Sequence, residues 1–328
     1  MKAAVFKTMG PADKVLEIIE VDIPAPAHGE VLVRLNCSAV NPSDVKKRDG
    51  AFPDLLKDGF IIPHSDGAGV IEAVGRGVPA SRIGERVWVY QAQYGRRFGT
   101  AAEYVAVDSS RAVWLPDSVG FDVGACMGIP AMTAHRCVFA DGPVEGQTIL
   151  VTGGAGRVGH YVIQWAKYAG ATVIATASNP EAEAHCYAAG ADAVCPHKGE
   201  ELLSTVADLT AGKGVERLVD GEFGGNLPVL LDVASTGATI ASYASMQVAE
   251  PTLPFRRMLF MDLTIRMVLV YAMPESAKED AIEDITEFLD AGMLQHRIAY
   301  REPLENIAGA HQRIEKAGFY GVVLVDLE

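Results

Sequence analysis

Thr148-Ile149-Leu150-Val151-Thr152-Gly153-Gly154-Ala155-Gly156-Arg157-Val158-Gly159 is the stretch on which the organisation of the chain turns. A short apolar, β-branched run feeds into glycines, and the glycines into a helical pattern, so the stretch predicts strand, tight turn and helix. Gly154, Gly156 and Gly159 have GxGxxG spacing. The first permits the turn, the second lets backbone approach a pyrophosphate, and the third lets helix pack on strand. The helix N-terminus then offers N–H groups to phosphate. Downstream, Val158, Val162, Trp165, Ala166 and Ala169 fall on one helical face, with His160, Gln164 and Lys167 off it. Gly170 stops the helix, and 172–176 reads as the next buried strand.

Outward from this unit the alternation continues. Asn179-Pro180-Glu181 predicts a helix start, with Asn as N-cap and Pro in the first turn. A helix stop and third strand fall at 190–194, then helix 200–211, strand 217–220, helix 227–234 and strand 238–243. Such alternation predicts a doubly wound parallel sheet. A strand at 263–270, helices at 278–291 and 307–317, and a closing strand at 322–325 complete the pattern. Residues 1–120 read as all-β: runs at 3–6, 31–35, 69–74, 86–89 and 103–107 are punctuated by Pro24, Pro26, Gly29, Pro42, Gly50, Pro63 and the 75–77 turn. A compact barrel-like domain is expected there.

The 328 residues suffice for two domains, and 49% of them are hydrophobic. A formal charge of −14 argues against general affinity for nucleic acid or anionic membrane and favours small-molecule work. Five cysteines (37, 126, 137, 186 and 195) are scattered without a CxxC, which predicts free, buried thiols in a reducing cytosol. The opening Met1–Lys7 segment lacks a signal peptide's long apolar run, and the apolar stretch 263–273 is interrupted by Arg266 and too short to span a bilayer. A soluble, cytoplasmic protein is expected.

The order of motifs resembles the zinc-independent quinone oxidoreductases (zeta-crystallin-like) of the medium-chain dehydrogenase/reductase superfamily. The resemblance is carried by 29–34 (GEVLVR), 40–44 (VNPSD), 66–71 (DGAGVI), 84–87 (GERV), 99–105 (GTAAEYV), the 153–159 turn and 190–192 (GAD), and extends over nearly the whole chain. It implies a GroES-like β-barrel catalytic domain, residues 1–124 and 270–328, interrupted by a Rossmann domain at 125–269.

The resemblance also frames the zinc question. The three catalytic ligand positions of zinc-dependent relatives are matched by Asn41, Ser65 and Ile129, none of them a Cys, His or carboxylate, and no cysteine lies between 37 and 126 to build a structural zinc lobe. His64 beside the lost histidine is read as a polar residue near the site floor or an ordinary structural histidine. Without a Lewis acid, hydride transfer relies on orientation and on an acceptor that tolerates negative charge. A quinone fits first; an enone or enal fits second. Asn41 matches the family asparagine near the nicotinamide, and Asp66 its supporting carboxylate. The tyrosine that commonly follows is replaced by Lys46, a candidate proton-transfer group. Phe52 stands at an aromatic position without a hydroxyl, and Val322 where relatives carry lysine.

An NAD site usually ends its second strand with an acid; here 176–179 reads Thr-Ala-Ser-Asn. NADPH is therefore expected over NADH, with Ser178 and Asn179 hydrogen-bonding the 2′-phosphate and Arg157, His197 or Lys198 supplying charge. Further cofactor contacts are expected from Gly153, Gly154, Ala155, Gly156, Val158, Gly159, Phe223, Asn226, Tyr243, Ser245, Ala272 and Met273. The acceptor pocket is expected to draw on Phe52, Tyr94, Met127, Ile129 and Met246. Together these readings predict an NADPH-dependent quinone reductase, by hydride or single-electron transfer, working in a cleft between domains. The alternatives are an ene-reductase of α,β-unsaturated ketones, aldehydes or thioesters and, in another class, a nucleotide-binding structural or RNA-binding protein. The apolar strand at 263–270, placed at a sheet edge, predicts a homodimer.

Overall fold

A computed structural model describes residues 1–327. The chain divides into two compact units: Met1–Ile129 with the chain from Ile282 onward, and Pro130–Ala281. The first contains strands β1 (Lys2–Phe6), β2 (Leu16–Glu20), β3 (Glu30–Val40), β4 (Asp66–Val74), β5 (Arg86–Val89), β6 (Tyr104–Asp108) and β7 (Ala112–Trp114). The second contains β8 (Thr148–Val151), β9 (Thr172–Thr176), β10 (Ala193–Cys195), β11 (Val215–Asp220), β12 (Ala234–Ser242) and β13 (Thr264–Met267). The chain then returns to the first unit with β14 (Ile298–Pro303) and β15 (Val322–Asp326).

The first unit is built on a seven-stranded sheet in the order β14-β15-β3-β4-β5-β7, with β6 also paired to β3. Val5, Val33, Leu35, Ile71, Val87, Val105 and Val323 form part of its buried core. The antiparallel β3/β4 ladder matters most for the site. It pairs Ala39 with Asp66, so the residues just beyond β3 meet the first residue of β4. The expectation of an all-β region at 1–120 needs correction: short helices α1 (Ala12–Val15) and α2 (Pro42–Arg48) are present. Hydrophobic spacing could not reveal α2, because the residues it buries are Asp44, Lys47 and Arg48.

In the second unit six strands run parallel in the order β10-β9-β8-β11-β12-β13. Counted within the unit this is 3-2-1-4-5-6, the doubly wound order of dinucleotide-binding sheets. The unit's helices are α4 (Met132–Phe139), α5 (Arg157–Tyr168), α6 (Pro180–Ala188), α7 (Glu200–Thr210), α8 (Phe223–Val233) and α9 (Phe255–Phe260); α3 (Phe121–Gly124) and α11 (Ile307–Lys316) belong to the first unit, and α10 (Glu275–Asp290) runs across the boundary. Leu150, Ile174, Leu218 and Ile240 of the sheet pack with Leu202, Val206, Leu227 and Leu230 of the helices.

Three local expectations change. His160 and Gln164, placed off the apolar face of α5, are buried, while Val158 and Ala169 are half-buried. The reason is α4, which packs on α5, with His135 edge-on to Trp165 at 5.5 Å between ring centroids. The helix expected at 227–234 begins at Phe223, where the glycine-rich run reads locally as loop. The strand expected at 263–270 is confined to Thr264–Met267, at the edge of the sheet, and a 3-10 turn follows at Val270–Ala272.

Candidate functional site

The glycine turn leaves β8 at its carboxyl end. A Cβ at Gly154 would stand 2.8 Å from both Ala175 Cβ and Cys186 Sγ, and one at Gly159 only 2.6 Å from the Gly153 carbonyl oxygen. These two glycines are required by packing. Gly153 and Gly156 are exposed instead, and nothing lies within 4 Å of a Cβ placed on Gly153. No side chain caps α5 at Gly156, so the helix starts behind bare, exposed backbone. The Gly156 N–H is itself taken up by the Gly153 carbonyl at 2.9 Å, so what these glycines offer a dinucleotide's pyrophosphate is close approach to the helix N-terminus. The turn is held from below: Gly153 N–H donates to Thr176 Oγ1 at 2.9 Å and Gly154 N–H to the Thr176 carbonyl at 3.0 Å. Ala155 is buried in the turn, while Arg157 and Val158 are half-buried at the start of α5.

Beyond β9 a cavity of about 470 Å³ is lined by Ser178, Asn179, Glu183, His197, Lys198 and Glu201. The expected Ser178, Asn179 and His197 are thus brought together, with Lys198 beside them. Asn179 is partly committed elsewhere, since its Oδ1 caps α6 by accepting from Ala182 N–H at 2.9 Å. A second cavity of about 500 Å³ is lined by Phe223, Tyr243, Ser245, Leu253, Met267 and Leu269, among others. Burial pushes the Tyr243 phenol well up, keeping it protonated. Ser245 Oγ is engaged by Gly224 N–H at 2.8 Å. Asn226 departs from expectation: its Nδ2 donates to buried Asp220 at 2.8 Å, a carboxylate that also accepts from Glu222 N–H and Thr152 Oγ1. A buried carboxylate must be saturated with donors, and this demand claims the amide. Met273 is buried, Ala272 exposed.

The acceptor-side candidates lie mainly in the first unit. Asn41 follows β3, is 2% exposed, and donates from Nδ2 to Asp66 Oδ2 at 2.8 Å. The same oxygen accepts from Ile129 N–H at 2.8 Å. Asp66 is fully buried, and its Oδ1 has no hydrogen-bond partner among the described residues. Gly128 is the neighbour that permits this, since a Cβ there would lie 2.0 Å from Oδ1. Burial pushes the Asp66 carboxyl up to about 7, against the donors from Ile129 and Asn41. Uncompensated burial of one ion costs several kcal/mol, so a nearby cation is expected.

That cation is Lys47, not Lys46. Lys46 is half-buried on α2, whereas Lys47 is 6% exposed and donates to the Gln93 carbonyl at 2.7 Å and to Ser65 Oγ at 3.4 Å. Burial lowers its pKa, opposed by the Asp44 and Asp66 charges. The signal in the sequence was a charged helical face: Asp44, Lys47 and Arg48 at i, i+3 and i+4.

The expected substrate residues separate. Met127 is fully buried in the turn preceding α4, so it is core rather than pocket lining. Ile129 is half-buried, while Phe52 and Tyr94 are 55% and 50% exposed. Met246, 64% exposed, belongs to the second unit. His64 is structural. It sits at φ 74°, fully buried, with Nδ1 on Ser38 Oγ at 2.8 Å and Nε2 on His311 Nε2 at 2.9 Å. Burial, then the Lys47 charge, holds His64 down to about 3; burial, then His64, holds His311 well below the usual histidine range.

Two of the three positions matched to zinc ligands, Asn41 and Ile129, are bound to Asp66, and the third, Ser65, to Lys47. Among the described residues no group of three or more His, Cys, Asp or Glu could hold a metal ion.

Comparison with known proteins places this geometry. Residues 27–117 match the alcohol dehydrogenase GroES-like domain, and 158–287 match the zinc-binding dehydrogenase family. The chain is 30% identical over 322 residues to a quinone oxidoreductase of Mus musculus, covering 94% of this chain and 92% of that protein. It is 27% identical over 322 residues to a 2-haloacrylate reductase of Burkholderia sp, covering 95% and 94%. Among solved structures it is similar to mycobacterial Rv1454c complexed with NADPH, at TM-score 0.87 and 26% identity, covering 99% of this chain and 100% of that one.

Proposed function

The chain belongs to the zeta-crystallin-like quinone oxidoreductases of the medium-chain dehydrogenase/reductase superfamily, and from that premise we propose that it reduces quinones with NADPH and without zinc. The observation that carries the zinc-free reading is the fate of the zinc-ligand positions: the Asn41 amide is tied to a buried carboxylate, the Ser65 hydroxyl to a buried ammonium, and Ile129 offers an aliphatic side chain while its backbone N–H holds the same carboxylate. Bound NADPH supplies the hydride. The chain's own part is to let the pyrophosphate approach the turn at Gly153 and Gly156, where no side chain stands in the way, to offer Ser178, His197 and Lys198 to the 2′-phosphate, and to keep the Asn41 amide fixed on Asp66. With no Lewis acid the acceptor must itself carry the incoming charge, as a quinone does when it becomes a phenolate.

The first test measures oxidation of NADPH and NADH with 1,4-benzoquinone, 9,10-phenanthrenequinone and 3-penten-2-one, with and without chelator. Faster NADPH turnover with the quinones, unchanged by chelator, is expected; loss of turnover on chelation rejects the zinc-free reading. A second reading, reduction of an activated alkene, is supported by the similarity to a 2-haloacrylate reductase. Turnover of 3-penten-2-one alone would select it.

A homodimer belongs to the same proposal. Edge strand β13 and its surroundings expose Met267 at 62%, Leu269 at 58%, Phe255 at 74% and Phe260 at 74%. An open apolar edge of this kind is protected by pairing with a second copy. Sedimentation giving a monomer at micromolar concentration would reject the dimer. No described helix is long and apolar enough to cross a membrane.

A further inference from the structure

The loop 90–98 is tied down at unusual points. Gln91 has φ 54° and Gly95 φ 66°, so two left-handed residues bracket the segment that carries Tyr94. Ala92 N–H donates to the Ser65 carbonyl at 2.9 Å, and Gln93 Nε2 to the Arg96 carbonyl at 2.9 Å. The buried Gln93 carbonyl receives the Lys47 ammonium at 2.7 Å. The same ammonium reaches Ser65 Oγ, and Ser65 directly precedes Asp66, which holds Asn41. Lys47 therefore touches both the loop and the residue that leads into the Asn41–Asp66 pair.

We propose that Lys47 is a positioning residue for the acceptor: its ammonium ties the 90–98 loop to the Asn41–Asp66 pair, where zinc-dependent relatives would place a metal's charge. The physical case is that an ammonium has three donors and a positive charge. One donor satisfies a buried carbonyl that otherwise has no water to turn to. The charge also favours the ionised forms of the buried Asp44 and Asp66 carboxyls, although burial still raises Asp66 to about 7. A methionine of similar length fills the same space and supplies neither.

The proposal's kinetic arm rests on the quinone reading; its proteolytic arm does not. Wild type and Lys47→Met are compared by rate of tryptic cleavage after Arg96 and Arg97, by KM and kcat for 9,10-phenanthrenequinone, and by NADPH Kd from nucleotide fluorescence. Expected are cleavage about tenfold faster, KM about tenfold higher, kcat within about threefold and Kd within about twofold, the scale of losing one charge-assisted bond. Unchanged cleavage and KM overturn the proposal. So does a parallel loss of kcat and cofactor affinity, which would mark a general structural role. If Lys47→Met does not fold, the double variant Lys47→Met/Asp66→Asn removes both charges together and is expected to fold with the same fast cleavage. A double variant that is unfolded, or that cleaves at the wild-type rate, also overturns it. If wild type turns over no quinone, the quinone reading fails, and the cleavage rates still decide the role of Lys47.

Discussion

The two units solve opposite problems. In the second, the turn proposed for the pyrophosphate is a contiguous stretch of largely exposed backbone, and side chains matter there mostly by being absent. In the first, the Asn41–Lys47–Asp66 cluster is assembled from a strand end, a helix and another strand, and it consists of buried side chains. A site of bare backbone fails when something is added. A site of buried charges fails when one partner is removed or changes its proton count.

The largest effect expected from that contrast is at Gly159, where an added Cβ meets the Gly153 carbonyl at 2.6 Å. Gly159→Ala should lose about 3 kcal/mol, the upper end of overpacking costs, together with nucleotide binding. Urea melts read the first and nucleotide fluorescence the second; wild-type stability would show that helix and turn can move apart freely.

Next comes the acid response of the first unit. Burial holds His64 at about 3 and His311 well below 6.5, so both are neutral in the folded state while the unfolded chain takes up protons. For each such group the stability present above pH 6.5 is lost as pH falls toward the folded pKa, at about 1.4 kcal/mol per pH unit. The two histidines together double that slope once pH is well below 6.5, and Asp66, which burial raises to about 7 so that the folded state takes up its proton first, offsets about half of it down to the ordinary carboxylate range. Melting temperatures taken from pH 7.5 down to 5 check this, and a flat profile would mean that the pair accepts a proton in place.

Gly156→Ala separates binding from folding. Gly156 is exposed at φ −66°, a value alanine adopts freely, and its nearest neighbour to a new Cβ is the Gly153 carbonyl at 3.1 Å. Stability should stay within about 0.5 kcal/mol of wild type. NADPH Kd should rise about tenfold, since the methyl stands where backbone meets pyrophosphate. An unchanged Kd would move the phosphate elsewhere.

The smallest effect is at Lys198, exposed on the cavity that also holds Glu183 and Glu201. Lys198→Ala should weaken NADPH by a factor of about three to five, with NADH unaffected, because a solvated charge pair contributes at most about 1 kcal/mol. Equal weakening of both nucleotides would show that Lys198 does not read the 2′-phosphate.

The legibility of each part follows from these differences. Strand, turn and helix at 148–168 were readable because glycine spacing and apolar runs act on contiguous backbone. Met127 misled, because a methionine beside a pocket and a methionine in the core look identical in sequence; only its complete burial separates them. Asn226 misled because the claim on its amide comes from Asp220, whose need for donors depends on how deeply β11 is buried.

What the sequence determined by itself, then, is what depends on local spacing: the alternating second unit and the glycine turn between its first strand and helix. What the tertiary structure alone decided is which charged groups are taken out of water. Lys46 and Lys47 are neighbours of the same type in one basic run, and the helix turns only the second toward Ser65 and the Gln93 carbonyl. The β3/β4 register sets Asp66 against Asn41, and the fold brings His311 onto His64 from 247 residues away. Burial is a property of all the elements that surround a side chain, and no stretch of sequence carries it alone.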